Sequence, residues 1–227
     1  MAEFEVLIEV TSPIHLGSGQ ADVNIDSYVI HDEYGFPYFP AKRFKGLLYE
    51  SALEVQEMLE LSKFEFDTSI IEDIFHHHSS NKGKVSEVQL IVPNFYLLPQ
   101  EEYQQFCQEW QYLQNPKYYG EIFRPSDVLE FYTSLRYQTK LENGVAADSS
   151  LHNMRILNSG LTFQGTLELI NETEKHLNFL ALAIRNLTSA GLKRNRGFGR
   201  IDCSILSMEG SLNEEMMIEN ALSVGGI

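Results

Sequence analysis

Three features of this 227-residue chain predict an α+β fold. Apolar residues recur at helical spacing from Ala41 to about Leu61, and again from His176 to Ala190. Shorter β-rich segments flank both stretches, the first of them starting at Glu3. A period near 3.6 buries one face of a helix, and a period of 2 buries one face of a strand.

Residues 3–11 alternate in part and are rich in β formers, and Ser12-Pro13 ends that strand. Gly17-Ser18-Gly19 is a loop. Val23 to His31 reads as extended, with Asp32-Glu33-Tyr34-Gly35 as its turn. Phe36 to Pro40 is too rich in proline for a helix and leads into one. Within 41–61 the apolar set is Phe44, Leu47, Leu48, Ala52, Val55, Met58 and Leu59, and glutamates fill the other face. A short helical piece is expected near Ile70–Phe75. Val88–Leu98 reads as a strand, Pro99 to about Leu113 as a helix, and Asn115–Pro125 as a loop.

Leu135 to Leu141, with Asn143-Gly144 after it, resembles a β-hairpin or extended arm. Arg155–Ile170 is extended, with bulges or turns expected at Gly160 and Gly165. On the second helix, Leu177, Leu180, Ala181, Ile184 and Leu187 share one face. Ile201–Met208 is the last strand. The order β, helix, strands, helix, β fits a ferredoxin-like (RRM-like) βαββαβ core with insertions. One domain is expected over residues 1–208, with an insertion at about 62–153. An acidic C-terminal tail or short helix is expected over 209–227.

Net charge is −15, which argues against a free-standing nucleic-acid binder. The cations are unevenly placed, however. Of 17 Lys and Arg, seven fall in two short windows: Lys42, Arg43 and Lys45, then Lys193, Arg194, Arg196 and Arg200. Local patches, not net charge, decide binding. The pattern suggests a polyanion track on a body whose acidic faces suit protein neighbours.

Cys107 and Cys203 lie far apart and read as buried thiols of a reducing compartment. No paired Cys/His spacing suggests zinc. No apolar run approaches the ~18 residues of a membrane span. The chain opens on a strand pattern without a signal-peptide pattern, so a cytoplasmic location is expected.

In Gly191-Leu192-Lys193-Arg194-Asn195-Arg196-Gly197-Phe198-Gly199-Arg200, glycines permit close backbone approach to a ligand. N–H groups and guanidinium forks in such a loop suit phosphate oxygens. The same charges also fit a surface turn or pairing with acidic neighbours. Lys42, Arg43 and Lys45 begin the long helix, where the positive dipole end and free N–H groups favour phosphate. Cations are ordinarily disfavoured there, which makes three of them notable, although a solvated helix start accounts for them too. His76-His77-His78 reads as a solvated run, because adjacent residues cannot all face one ion. Tyr112, Tyr118, Tyr119, Tyr132 and Tyr137 fit base stacking, or the burial commoner for aromatics.

Three segments in this order resemble the RAMP superfamily, the repeat-associated RNA-binding proteins of CRISPR effector complexes. They are Pro13 to Gly19, then Asn24 through Gly35-Phe36-Pro37-Tyr38-Phe39-Pro40-Ala41-Lys42-Arg43-Phe44-Lys45-Gly46 to Tyr49, and the glycine loop. A weaker fourth, Val145 to Gly165, is similar to the middle arm of type III members. The sequence departs from the family in Ala41-Lys42-Arg43-Phe44, where small residues are usual, in Tyr49, and in lacking a tandem Gly-Gly.

The resemblance implies crRNA binding within a type III-like complex with other effector subunits, closest to the backbone subunits that coat the guide. A cap subunit remains an alternative. It further implies that Asp26 supports cleavage of target RNA with a divalent ion such as Mg²⁺. A turn Asp serving backbone N–H groups fits the same residue, and Asp22 and Asp32 are nearby competitors. His15 is an RNA-contact candidate. In precursor-processing members such a His acts as general acid/base without metal, which would make a stand-alone endoribonuclease; a structural His fits as well. Met154 is a candidate wedge between bases, by analogy with the family's thumb.

Overall fold

Alternation along β1 (Ala2–Val10) sets the frame. Phe4, Val6, Ile8 and Val10 are buried, while Glu3, Glu5, Leu7 and Glu9 face away. The computed structural model describes residues 1–19, 25–64, 66–75, 87–114, 124–139, 141–142, 145–146, 150–206, 213–223 and 227. The hairpin turn expected at Asn143-Gly144, His76-His77-His78, Tyr118, Tyr119 and Asp22 lie outside those residues.

Helix α1 (Ala41–Leu61) spans the stretch its periodicity predicts, and Phe44, Leu47, Leu48, Ser51, Ala52, Val55 and Leu59 are buried. Pro40 precedes it with extended backbone and no capping side chain. Asn94 does that work from across the fold: its Oδ1 accepts the Ala41 N–H at 2.8 Å. Next come α2 (Ser69–Phe75) and the short strand β2 (Gln89–Ile91). The strand expected over 88–98 is interrupted at Pro93, which has no N–H to give. Beyond it Phe95 pairs with Phe39, and Tyr96 with Gln164.

Helix α3 (Gln100–Leu113) is followed by α4 (Pro125–Tyr132), which the sequence reading did not anticipate. Its start nevertheless obeys local rules. Pro125 opens it, and Asp127 Oδ2 accepts the Arg124 N–H at 2.8 Å.

An arm follows, made of β3 (Thr133–Gln138), β4 (Leu141–Glu142), β5 (Val145–Ala146) and β6 (His152–Leu157). Strands β3 and β6 pair antiparallel, as do β4 and β5. The chain then rejoins the main body through β7 (Thr162–Ile170), α5 (Glu174–Asn186), β8 (Ile201–Leu206) and α6 (Glu214–Ala221).

The main sheet has the order β2-β7-β1-β8, antiparallel throughout. Its inward side chains share one core with α1 and α5, and Ser51 Oγ ties the two helices by donating to the Ala183 carbonyl at 2.7 Å. Helix α5 ends at Asn186, short of the expected Ala190. Residues 188–190 are instead drawn into pairing with 199–201: Ala190 N–H donates to the Gly199 carbonyl at 2.8 Å, and Ile201 N–H to Thr188 at 3.0 Å. Helix α6, within the stretch expected as an acidic tail, buries Met217 and Ala221. The α+β class predicted from periodicity is thus observed. Among the described residues, no helix is long and apolar enough to cross a membrane.

Candidate functional site

His15 and the base of the glycine loop meet just past the end of β1, where the chain turns at Ser12-Pro13. The turn is stitched to the base of the glycine loop. Thr11 and Ser12 N–H groups both donate to the Arg200 carbonyl, Arg200 N–H donates to Ser12 Oγ at 2.8 Å, and Gly199 N–H donates to Pro13 at 2.9 Å. Ile14 then bridges to Leu157 on β6. The next residue, His15, is fully buried.

The His15 tautomer follows from its partners. Nδ1 lies 2.6 Å from the Arg155 carbonyl, which can only accept, so Nδ1 carries the proton. Nε2, 3.0 Å from Ser27 Oγ, accepts the hydroxyl proton. Burial pushes the imidazole pKa below its ordinary value; the Arg155 carbonyl opposes this, and the charges of Arg43 and Lys193 reinforce it. His15 is therefore a neutral clamp behind the surface.

Ser27 connects the clamp to Asp26. Ser27 also accepts the Arg155 N–H through its carbonyl at 3.0 Å. Asp26 itself is exposed, with 58% of its side chain accessible. Its N–H donates to Asn153 Oδ1 at 2.9 Å, its Oδ2 accepts the Asn153 N–H at 2.8 Å, and His152 Nδ1 lies 3.8 Å from that oxygen. The competitor Asp32 is fully engaged. Its Oδ1 accepts the Tyr34 and Phe36 N–H groups and its Oδ2 the Tyr103 hydroxyl, so it is a turn-forming Asp.

The basic windows divide. Arg43 Nη2 donates to the Gly17 carbonyl at 2.9 Å, tying the start of α1 to the His15 loop. Lys42 is exposed. Lys45 turns the other way, donating to the Leu90 carbonyl of β2 at 3.2 Å, and burial pushes its pKa down.

In the glycine loop, Gly191 has φ +79°, and a Cβ there would stand 2.7 Å from the His15 carbonyl. Gly199 has φ +76°, and a Cβ would stand 2.0 Å from the Ala190 carbonyl. Both positions need glycine for close approach as well as for backbone conformation. Between them Lys193 takes left-handed backbone, and its Nζ donates to Gln138 Oε1 and lies 3.8 Å from Met154 Sδ. Arg194 lies 3.5 Å from Glu50 of α1. Arg196 and Arg200 are exposed and make no ion pair among the described residues.

The structure thus brings His15, Asp26 and Lys193 together around the β6 strand, with Arg43 held at Gly17 on the His15 loop. Lys45 points away from them, and Met154 is buried.

Sequence reasoning missed two residues here, Asn153 and Arg155. The Arg155 guanidinium is buried, donates to Thr133 Oγ1 at 2.9 Å and sits 5.3 Å over the Tyr28 ring, while its Nε has no partner among the described residues. The available signal was a cation between Met154 and Ile156 in an otherwise apolar stretch. Among the described residues no three His, Cys, Asp or Glu side chains gather as a metal site. A divalent ion at Asp26 would draw its remaining ligands from phosphate oxygens and water, as Mg²⁺ commonly does.

Solved structures share this fold. One chain of the type III-B Cmr-beta bound to cognate target RNA superposes with TM-score 0.63 at 13% identity, covering 96% of this chain and 99% of that one. A chain of the type III-B Cmr-beta in its apo state gives TM-score 0.62 at 13% identity, covering 90% and 97%. No curated protein matches the sequence significantly. The profile of the RAMP superfamily matches residues 7–202, which take in α1, β2, the arm, β7, α5, the glycine loop and parts of β1 and β8. On that match, the chain belongs to the RAMP superfamily.

Proposed function

We propose that this chain is a crRNA-binding subunit of a type III CRISPR ribonucleoprotein, working beside other effector subunits on target RNA. One observation carries the reading: the three segments that resemble the family converge on His15, with Arg43 and Lys193 both close enough to depress its pKa. The element order and the strand order β2-β7-β1-β8 support a ferredoxin-like core, in which the arm is an insertion between the second and third core strands.

Guide phosphates would run past the glycine loop and the start of α1, where exposed Lys42, Arg196 and Arg200 neutralise them without reading sequence. Asp26 is the proposed cleavage residue, because its exposed carboxylate is held in place beside this track by Asn153. It would share Mg²⁺ with RNA phosphate oxygens. Engagement of both His15 ring nitrogens inside the fold speaks against an acid/base role in a stand-alone nuclease.

The test is cleavage of guide-matched RNA by the assembled complex, with and without Mg²⁺, comparing wild type with Asp26→Ala. Loss of metal-dependent cuts with guide binding retained supports the cleavage role. Unchanged cuts make the chain a scaffold or cap subunit.

A further inference from the structure

The face of the main sheet turned away from α1 and α5 is unusual for an RNA-binding protein. Its outward residues are Glu3, Glu5, Leu7 and Glu9 on β1, and Thr162, Gln164, Thr166, Glu168 and Ile170 on β7. None is basic or aromatic. An RRM-type sheet reads RNA by stacking bases on aromatic side chains of this face. Here Glu3 stands directly opposite Glu168, and Glu9 opposite Asp202. Like charges in register cost stability, and they repel phosphate.

A cavity of about 900 Å³ opens between this face and α3. Glu5 and Gln164 contribute from the sheet, and Tyr38, Tyr96 and Tyr103 form an aromatic row along it. Rings of Tyr38 and Tyr96 are 5.9 Å apart, and those of Tyr96 and Tyr103 are 6.0 Å apart, each pair tilted by 34°. The lining includes the carboxylates of Glu5 and Asp32, and neither Lys nor Arg. Asp32 has both oxygens occupied. Glu5 makes no ion pair or side-chain hydrogen bond among the described residues.

We propose that this cavity receives an arginine-bearing segment of a partner protein, with the guanidinium stacked on the tyrosine row and paired to Glu5. Aromatic faces beside an unpaired carboxylate, with neither Lys nor Arg in the lining and the His31 Nδ1 turned to the Asp32 carbonyl, select for a cation. Arginine suits the site better than lysine because its planar group stacks on a ring, forks onto a carboxylate and is more weakly hydrated. A polyanion entering here would meet Glu5, Glu3 and Glu168 uncompensated. The assignment does not depend on the RNA track, which lies at the end of β1 near the glycine loop.

The test is calorimetric titration of the full chain with a blocked five-residue peptide of alternating glycine and arginine. Matched peptides carry lysine or neutral citrulline in place of arginine, and a uridine dinucleotide serves as the RNA probe. Because the net charge of −15 attracts any cation, the lysine peptide sets the background. Arginine is expected to bind at least roughly tenfold more tightly than lysine or citrulline, and Glu5→Gln to remove that advantage. Tyr96→Ala, checked for folding by circular dichroism, is expected to do the same. Equal affinity for the arginine and lysine peptides overturns the assignment, as does an unaltered preference in Glu5→Gln. Displacement of the arginine peptide by the dinucleotide overturns it in favour of RNA.

Discussion

Asp26 and Asn153 exchange two hydrogen bonds although 127 residues separate them: Asp26 N–H donates to Asn153 Oδ1 at 2.9 Å, and Asn153 N–H donates to Asp26 Oδ2 at 2.8 Å. The pairing fixes both the backbone and the carboxylate of Asp26 against the edge of β6. Only the first bond uses the Asn153 side chain. Asn153→Ala therefore leaves Oδ2 held while freeing the backbone. The expected cost is about 1 kcal/mol of stability, read by urea unfolding. On the proposed function, target cleavage by the assembled complex falls while guide binding persists. Cleavage at the wild-type rate in Asn153→Ala would show that Asp26 needs no such support.

This relationship marks where the sequence stops being informative. Helical periodicity from Ala41 to about Leu61 located α1, because the pattern that defines its buried face is local. Partial alternation located β1 for the same reason, and the extended stretch expected over Arg155–Ile170 contains β7. The end of α5 was misjudged, because pairing of residues 188–190 with 199–201 is a long-range event that overrides helical spacing. At the candidate site, residue type and order single out Asp26, His15 and the basic windows as candidates. Arg155 and Asn153 were not, since their roles come from β6 lying beside a loop more than 120 residues earlier. Lys45 shows the converse failure. It belongs to the basic window in sequence, yet the helix turns its side chain toward β2.

Burial of His15 makes stability depend on pH. Its folded pKa is depressed below the ordinary value of 6.5, so the unfolded chain takes up a proton more readily than the folded one. The stabilisation is full above pH 6.5 and is lost as pH falls from there through the folded value. Its slope approaches about 1.4 kcal/mol per pH unit while only the unfolded state is protonated. Denaturant unfolding at several pH values should show this slope in wild type and lose it in His15→Gln. Comparing the two chains cancels the contribution of Glu214, whose carboxyl is raised by burial and whose slope has the opposite sign. An identical pH profile for both proteins would mean that His15 titrates alike in the folded and unfolded chain.

The glycine loop offers a graded experiment. Gly197, Gly191 and Gly199 all have φ between +76° and +79°. A Cβ at Gly197 meets nothing within 4 Å, whereas at Gly191 and Gly199 it meets carbonyl oxygens at 2.7 and 2.0 Å. Gly197→Ala should cost only the left-handed backbone penalty of about 1 kcal/mol. Gly191→Ala should cost more, and Gly199→Ala most, about 3 kcal/mol or beyond, because the backbone must move. Thermal unfolding of the three variants gives the order. Equal losses at all three positions would show that the loop shifts freely off the His15 turn.

On the proposed function, salt dependence separates the cations that would meet RNA from those that hold the fold. Arg196 is exposed and makes no ion pair among the described residues, so its guanidinium is free for a phosphate oxygen. Lys45 already donates to the Leu90 carbonyl and is half-buried. Guide-RNA binding measured between about 50 and 200 mM salt should show a steep loss of affinity in wild type. Arg196→Ala should weaken binding and make the slope shallower by about 0.7, the value for one contact released from a single strand. Lys45→Ala should leave the slope unchanged, with any loss of affinity tracking a loss of stability. Reversal of the two results would move the guide from the glycine loop to the β2 side of α1. That path would run beside the acidic open face, where Glu3 and Glu168 oppose it.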